Sequence, residues 1–197
     1  MVYGVDFGMS TSSLTVLDED GDFNLVADRA LRVGSRQSVP TAVFFDEPSG
    51  RLLVGGEAVN LKSQRDDAYA DNFKRDVKVD PRPFTLADQS FEVVDLVAAV
   101  LGFLRDGARE IDARNPVATV LTVPVDWAAG RRQLMIEAAV TAGLPADSLY
   151  LVEEPVAAIE YARSVGMAAD DETVLVYDLG GGTFDGAVST PTHSAQR

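Results

Sequence analysis

Cysteine is absent from the 197 residues, and histidine occurs once, at His193. Without cysteine there are no disulfides and no Cys-ligated metal, and the composition fits a reducing cytoplasm. His193 sits in a polar tail and reads as a solvated residue rather than a ligand or base. No apolar run is long enough to cross a bilayer. No basic segment precedes an apolar one at the N-terminus, so no secretory signal is expected. Positive charge is scarce: 17 basic residues face 31 acidic ones, for a net charge of −14. That balance argues against a general binder of nucleic acid or of an anionic membrane. It leaves a nucleotide open, because loop amides and Mg²⁺ act locally. What is plentiful is apolar material, 46% of the chain, enough for a sizeable core in one large or two small domains.

Two stretches carry chemistry. In the run from Val174 to Asp185, Val-Leu-Val-Tyr stops at Asp178, three glycines follow, and then Thr183 and Asp185. The apolar run reads as a buried strand. Gly180, Gly181 and Gly182 permit a tight turn and close backbone approach to a ligand. Their amides can cradle phosphate oxygens, with the Thr183 hydroxyl as a further donor. Asp178 and Asp185 are acceptors suited to a hydrated Mg²⁺. The same device opens the chain between Val2 and Val16: an apolar strand, Asp6, Gly8, then Met9, Ser10 and Thr11, and a second strand. Asp6 aligns with Asp178, Gly8 with Gly180, Ser10 with Gly182 and Thr11 with Thr183. One such turn alone reads as an ordinary glycine-containing turn. Two related copies ending in aspartate read as an internal duplication, able to grip one polyphosphate from both sides.

This pair of motifs resembles the two phosphate loops of the actin, sugar-kinase and 70-kDa heat-shock ATPase superfamily. Asp-Leu-Gly-Gly-Gly-Thr-Phe-Asp at 178–185 is the form found in the DnaK-type 70-kDa heat-shock chaperones. Further stretches agree in order. Asn72-Phe73-Lys74-Arg75 stands where the family has a lysine followed by arginine; by composition alone Lys74 reads as a solvated lysine among Asp71, Arg75 and Asp76. Val123-Pro124 with Arg132 resembles the family's segment that relays nucleotide state, although a strand-ending proline and a solvated helix arginine have the same spacing. Glu154-Pro155-Val156-Ala157-Ala158 resembles the family's Glu-Pro-x-Ala-Ala, although an acidic residue also simply favours a helix start.

The resemblance implies an α/β fold: a ribonuclease-H-like, actin-like ATPase lobe, with a mixed central sheet flanked by helices and a small inserted α+β subdomain. Residues 1–38 and 111–172 would form the large subdomain of lobe I, and 39–110 the small one. Residues 173–190 would form the first hairpin of a missing lobe II, and 191–197 a flexible tail. It implies ATP or ADP with Mg²⁺ as cofactors. Gly8, Met9, Ser10, Thr11 and Gly180 to Thr183 would hold phosphates. Asp6, Asp178 and Asp185 would hold Mg²⁺ through water. Lys74, Glu154, Asp178 and Thr183 would act in catalysis, and Pro124 and Arg132 would form the relay. In the parent protein the implied partners are a peptide-binding domain with unfolded client polypeptides, and co-chaperones, in the cytoplasm. The implied chain is a natural or engineered truncation with negligible turnover, because the family's second lobe holds adenine and ribose. Its apolar 173–188 hairpin would expose an edge and invite a homodimer. One departure stands out: the family usually has Thr-Thr after the first loop glycine, and here Met9-Ser10 follows Gly8. Met9 has no hydroxyl for water or phosphate, so slow hydrolysis is expected. An actin-like filament protein, a sugar or acid kinase, and a nucleotide-independent interaction module on the same fold are the competing readings.

The pattern between the motifs predicts the scaffold. Strands are expected over residues 2–6, 12–18 and 23–27 as a meander. A hairpin is expected around Glu47 to Gly50, and a short helix over 56–64. The longest helix is expected from Val93 to about Ala113, with Leu96, Val97, Val100, Leu101, Leu104, Ala108 and Ile111 as its apolar stripe. A strand over 117–124, a helix from about Ala129 to Ala142, a strand over 148–152 and a helix opened by Glu153 to Pro155 follow.

Overall fold

The computed structural model describes residues 1–26, 37–169, 171–180 and 184–190, with the backbone alone at 178, 179, 184, 185 and 189. The opening strand β1 (Val2–Phe7) alternates: Tyr3, Val5 and Phe7 are buried while Gly4 and Asp6 face outward. β2 (Thr11–Leu17) returns antiparallel, with Phe7 opposite Ser12 and Val2 opposite Leu17. β3 (Phe23–Leu25) completes the meander. It is shorter than the expected 23–27, and Ala27 lies outside the described residues. β4 (Val39–Pro40) pairs with the start of β2, an edge position that tolerates the missing amide of Pro40.

A smaller unit follows. β5 (Ala42–Asp46) and β6 (Arg51–Val54) form the expected hairpin, turning through Gly50 at φ 66°. α1 (Gly56–Leu61) stops short of the expected Gln64. β7 (Tyr69–Asp71) pairs with the free edge of β5, giving a three-stranded sheet in the order β6-β5-β7. β8 (Phe84–Leu86) and β9 (Gln89–Phe91) make a tight hairpin, whose turn residues Ala87 and Asp88 have φ of 46° and 65°.

α2 (Val93–Ile111) is the long helix the periodicity predicts. Its stripe is buried from Val93 to Ala108, whereas Ile111, at the last turn, is 42% exposed. The stripe ends one turn early because the helix runs past the edge of what it covers. The Glu92 amide donates to Asp95 Oδ2 at 2.9 Å and fixes the helix start. β10 (Ala118–Val123) lies parallel to β1, and β11 (Leu149–Glu153) parallel to β10. Between them α3 (Ala129–Thr141) packs on α2. It stops at Gly143 (φ 80°), and the Arg105 guanidinium donates to the Ala142 carbonyl there. α4 (Glu154–Ser164) follows β11 directly, with Pro155 in its first turn. β12 (Val174–Leu179) and β13 (Phe184–Ser189) pair with each other as a separate two-stranded ribbon.

The central sheet runs β11-β10-β1-β2-β3 and mixes parallel and antiparallel pairs. Tyr3, Val5, Phe7, Leu14, Val16, Leu121 and Val123 point to one face and share a core with α2 and α3. That core continues into the smaller unit through Val43, Val54 and Ala70. The opposite face carries Gly4, Asp6, Ser13, Thr15 and Thr122, with α4 and the ribbon beside it. Among the described residues no helix is long and apolar enough to cross a membrane.

Candidate functional site

Phe7, Val123 and Glu153 end three parallel strands at the same edge of the sheet. Open α/β sheets bind ligands at this edge, because the chain leaves each strand there as a loop. A cleft of about 330 Å³ lies at it. Its floor is the turn after β1: Gly8, Met9, Ser10 and Thr11 all line it, with Asp6 at the strand end. The turn is tight enough that a Cβ added at Gly8 would collide with the Thr11 carbonyl oxygen. It is tied from below, where the Thr41 amide donates to the Ser10 carbonyl at 2.9 Å. The buried hydroxyls of Ser12 and Thr41 lie 2.7 Å apart beneath it. Asp6 accepts a hydrogen bond from Thr122 on the adjacent strand, Oγ1 to Oδ1 at 2.9 Å.

Lys74 enters from the smaller unit, on a 3₁₀ turn over Phe73–Asp76. It is not the solvated lysine that composition suggests. It is 8% exposed, and its Nζ donates to Glu154 Oε1 at 2.7 Å. Trp127, itself 4% exposed, places its ring centroid 5.9 Å from that Nζ. Phe73, the preceding residue, is fully buried against Phe7 and Phe84 and anchors the turn. Glu154 sits at the N-terminus of α4, where a carboxylate is favoured. Its neighbour Glu153 takes the other cation: Arg132 Nη2 donates to Glu153 Oε1 at 2.8 Å, and Arg132 Nε to the Trp127 carbonyl at 2.8 Å. Pro124 lines the cleft and accepts a backbone hydrogen bond from Trp127.

The structure thus brings Asp6, Gly8, Met9, Ser10, Thr11, Lys74, Pro124, Glu154 and Gly180 to one cleft, and sets Arg132 one carboxylate away from it. Asp178 and Asp185 face each other in register across the β12–β13 ribbon; only their backbone is described. Gly181, Gly182 and Thr183 lie outside the described residues. Sequence reasoning gave no role to Trp127, Arg131 or Thr122. The signal for Trp127 was available: a lone tryptophan between the end of β10 and the start of α3.

The donors fit a hydrated Mg²⁺ rather than a protein cage. Asp6 and Glu154 offer carboxylate oxygens at the cleft, the donor type a hard cation takes. Among the described residues no group of three or more His, Cys, Asp or Glu forms a site by itself. Such an ion keeps most of its waters and is shared with phosphate oxygens.

The sequence is similar to known proteins over most of its length. A profile of the Hsp70 protein family matches residues 73–190. The chaperone protein DnaK of Halobacterium salinarum is 32% identical over 185 residues, which is 93% of this chain and 28% of that protein. DnaK of Thermotoga petrophila is 31% identical over 184 residues, 93% of this chain and 29% of that protein. DnaK of Thermosipho melanesiensis is 30% identical over the same shares. The chain therefore spans less than a third of the length of these relatives.

Proposed function

This chain belongs to the Hsp70 family, and on that premise we propose that it forms the first lobe of a chaperone's nucleotide-binding domain, gripping Mg-ATP by its phosphates. The observation that carries the reading is the buried Lys74–Glu154 pair in the same cleft as the Gly8–Thr11 turn. A buried cation held beside the Gly8–Thr11 turn that lines the same cleft suits a terminal phosphate better than it suits stability, since a buried ion pair is weak evidence for stability.

In this reading the amides of Gly8 to Thr11 cradle phosphate oxygens from one side, and Gly180, Gly181, Gly182 and Thr183 from the other. Lys74 directs its ammonium at the γ-phosphate and stabilises charge that develops there. Glu154 orients Lys74 and a water, and Asp178 and Thr183 order the attacking water and the phosphate. Asp6, Asp178 and Asp185 would hold Mg²⁺ through water, and the ion would supply screening of the phosphate charge. Positioning and electrostatics then supply the catalysis. Met9 leaves no hydroxyl at its place in the turn, so hydrolysis is slow.

The scaffold is a ribonuclease-H-like large subdomain, 1–38 and 111–172, with the small one inserted at 39–110. Turnover by these residues alone is negligible, since the resemblance puts adenine and ribose contacts in a second lobe. Nucleotide state passes from Lys74 and Glu154 to the adjacent Glu153 and Arg132, with Pro124 at the cleft edge. In the whole protein this relay sets affinity for unfolded polypeptides and co-chaperones, in the cytoplasm. The filament, sugar-kinase and interaction-module readings have no observation of their own.

Calorimetric titration of Mg-ATP into the chain, beside Lys74→Ala and Asp178→Asn, tests the reading. Saturable binding weakened by both substitutions is expected. Binding that ignores both, or no saturation at millimolar Mg-ATP, would count against it.

A further inference from the structure

Arg131 lines the same cleft as Ser10 and Lys74. Its guanidinium carbon lies 4.4 Å from the centroid of the Trp127 ring. Its Nε donates to the Val77 carbonyl at 2.6 Å. These contacts engage one face and one nitrogen, and fix the plane of the group. Gly130 leaves room for the approach: a Cβ there would come within 2.7 Å of Val79 Cγ2, and the exposed Val79 side chain would have to shift.

Among the described side chains no carboxylate lies within ion-pair distance of Arg131, whereas Lys74 has Glu154 and Arg132 has Glu153. Guanidinium stays charged in proteins, so the group cannot relieve itself by losing a proton. Its place also works against the helix. Arg131 lies in the first turn of α3, which carries no acidic residue, and a cation there opposes the helix dipole. A half-buried, oriented cation at a helix start, with no carboxylate on it among the described side chains, favours the arrival of an anion. Arg75 also lines the cleft, but it is exposed and its Nε is bonded to the Asn72 carbonyl, with no ring to hold it.

We infer that Arg131 is a phosphate-binding residue of the cleft, its two Nη groups taking non-bridging oxygens of the polyphosphate while Lys74 remains paired with Glu154. A planar fork suits two phosphate oxygens at once, which an ammonium cannot match. The inference rests on the nucleotide reading above.

The test compares wild type, Arg131→Gln and Arg131→Lys by calorimetry, with Mg-ATP and inorganic tripolyphosphate as separate ligands at several salt concentrations. Thermal melts and the emission of Trp127 check that the unliganded fold is kept. Arg131→Gln is expected to weaken both ligands by about ten- to a hundred-fold, the range for a hydrogen bond to a charged group. Its affinity should also fall less steeply with salt, since one screened charge contact is gone. Arg131→Lys should recover part of the loss. A purely structural role would lower the melting temperature without changing the salt dependence. Wild-type affinity or an unchanged salt dependence in a folded Arg131→Gln protein would overturn the inference alone. If wild type takes tripolyphosphate but not Mg-ATP, the nucleotide reading fails, and the tripolyphosphate series still decides Arg131. If wild type takes neither, both are wrong.

Discussion

Lys74 Nζ and Glu154 Oε1 lie 2.7 Å apart across 80 residues of chain, with side chains 10% and 16% exposed. One comes from a 3₁₀ turn of the smaller unit, the other from the first turn of α4. Removing either partner takes a short charge-assisted hydrogen bond away from a largely buried group. Lys74→Ala or Glu154→Ala is expected to cost about 2–4 kcal/mol in urea unfolding, a little under the range for a fully buried pair. The double variant should cost less than the sum, by about 1–3 kcal/mol. Additive losses would show that the two side chains do not stabilise one another.

Gly4 on β1 and Gly8 just past its end provide a matched pair. A Cβ at Gly8 meets the Thr11 carbonyl oxygen, a backbone atom that cannot move without opening the turn, while a Cβ at Gly4 meets nothing within 4 Å. Gly8→Ala is expected to lower the melting temperature and to abolish phosphate binding. Gly4→Ala should be neutral or stabilising by up to about 1 kcal/mol, through the unfolded chain. Equal melting curves for the two variants would refute the close approach at Gly8.

Asp112, at the C-terminal end of α2, carries a predictable acid response. The Arg114 guanidinium and then the Arg114 amide hydrogen bond to its carboxylate, and hold it below its ordinary 3.8 at about 2. A depressed carboxylate contributes stability above its ordinary range and loses it as pH falls through the folded value. The contribution should thus be complete above about pH 4 and disappear toward pH 2. In Arg114→Gln the Asp112 carboxyl should titrate nearer its ordinary value, the amide bond alone still holding it down, as read by NMR; an unchanged titration would mean the guanidinium is not the cause.

The β12–β13 ribbon pairs only with itself among the described strands, and Leu175, Tyr177 and Val188 are 51%, 67% and 63% exposed. An apolar ribbon with open edges invites pairing between copies. Sedimentation velocity of the chain should show concentration-dependent association, reduced by Leu175→Lys. A single monomeric species at high concentration would exclude such a dimer.

Much of this architecture was legible in the order of residues, for identifiable reasons. Alternation marked β1 and β2, and period 3.6 marked α2 as far as Ala108, because both patterns record which side faces the core. Ile111 belonged to the stripe by spacing but not by burial, since periodicity cannot show where the covering surface ends. β7, β8 and β9 went unread: three residues are too few to show a period. Gly8 to Thr11 announced themselves by glycine and hydroxyl content. Lys74 did not, because its burial is conferred by Trp127 and Glu154, which arrive from distant elements. Arg131 was hidden for the same reason: its difference from Arg132 lies only in which of them finds a carboxylate.

The parallel pairing of β1 with β10, Val2 opposite Ala118 and Val5 opposite Leu121, also orders events in time. During synthesis β1 and β2 can join as soon as they emerge, but the other edge of β1 stays open for about a hundred residues more. At roughly 5–20 residues per second that is several seconds of exposure. The cleft closes later still, because Glu154 must arrive to meet Lys74. A ribosome-bound chain stopped before β10 should therefore be unable to bind phosphate and prone to stick to its neighbours. Until Glu154 has been made, then, the growing chain carries an open strand edge and an unfinished cleft together.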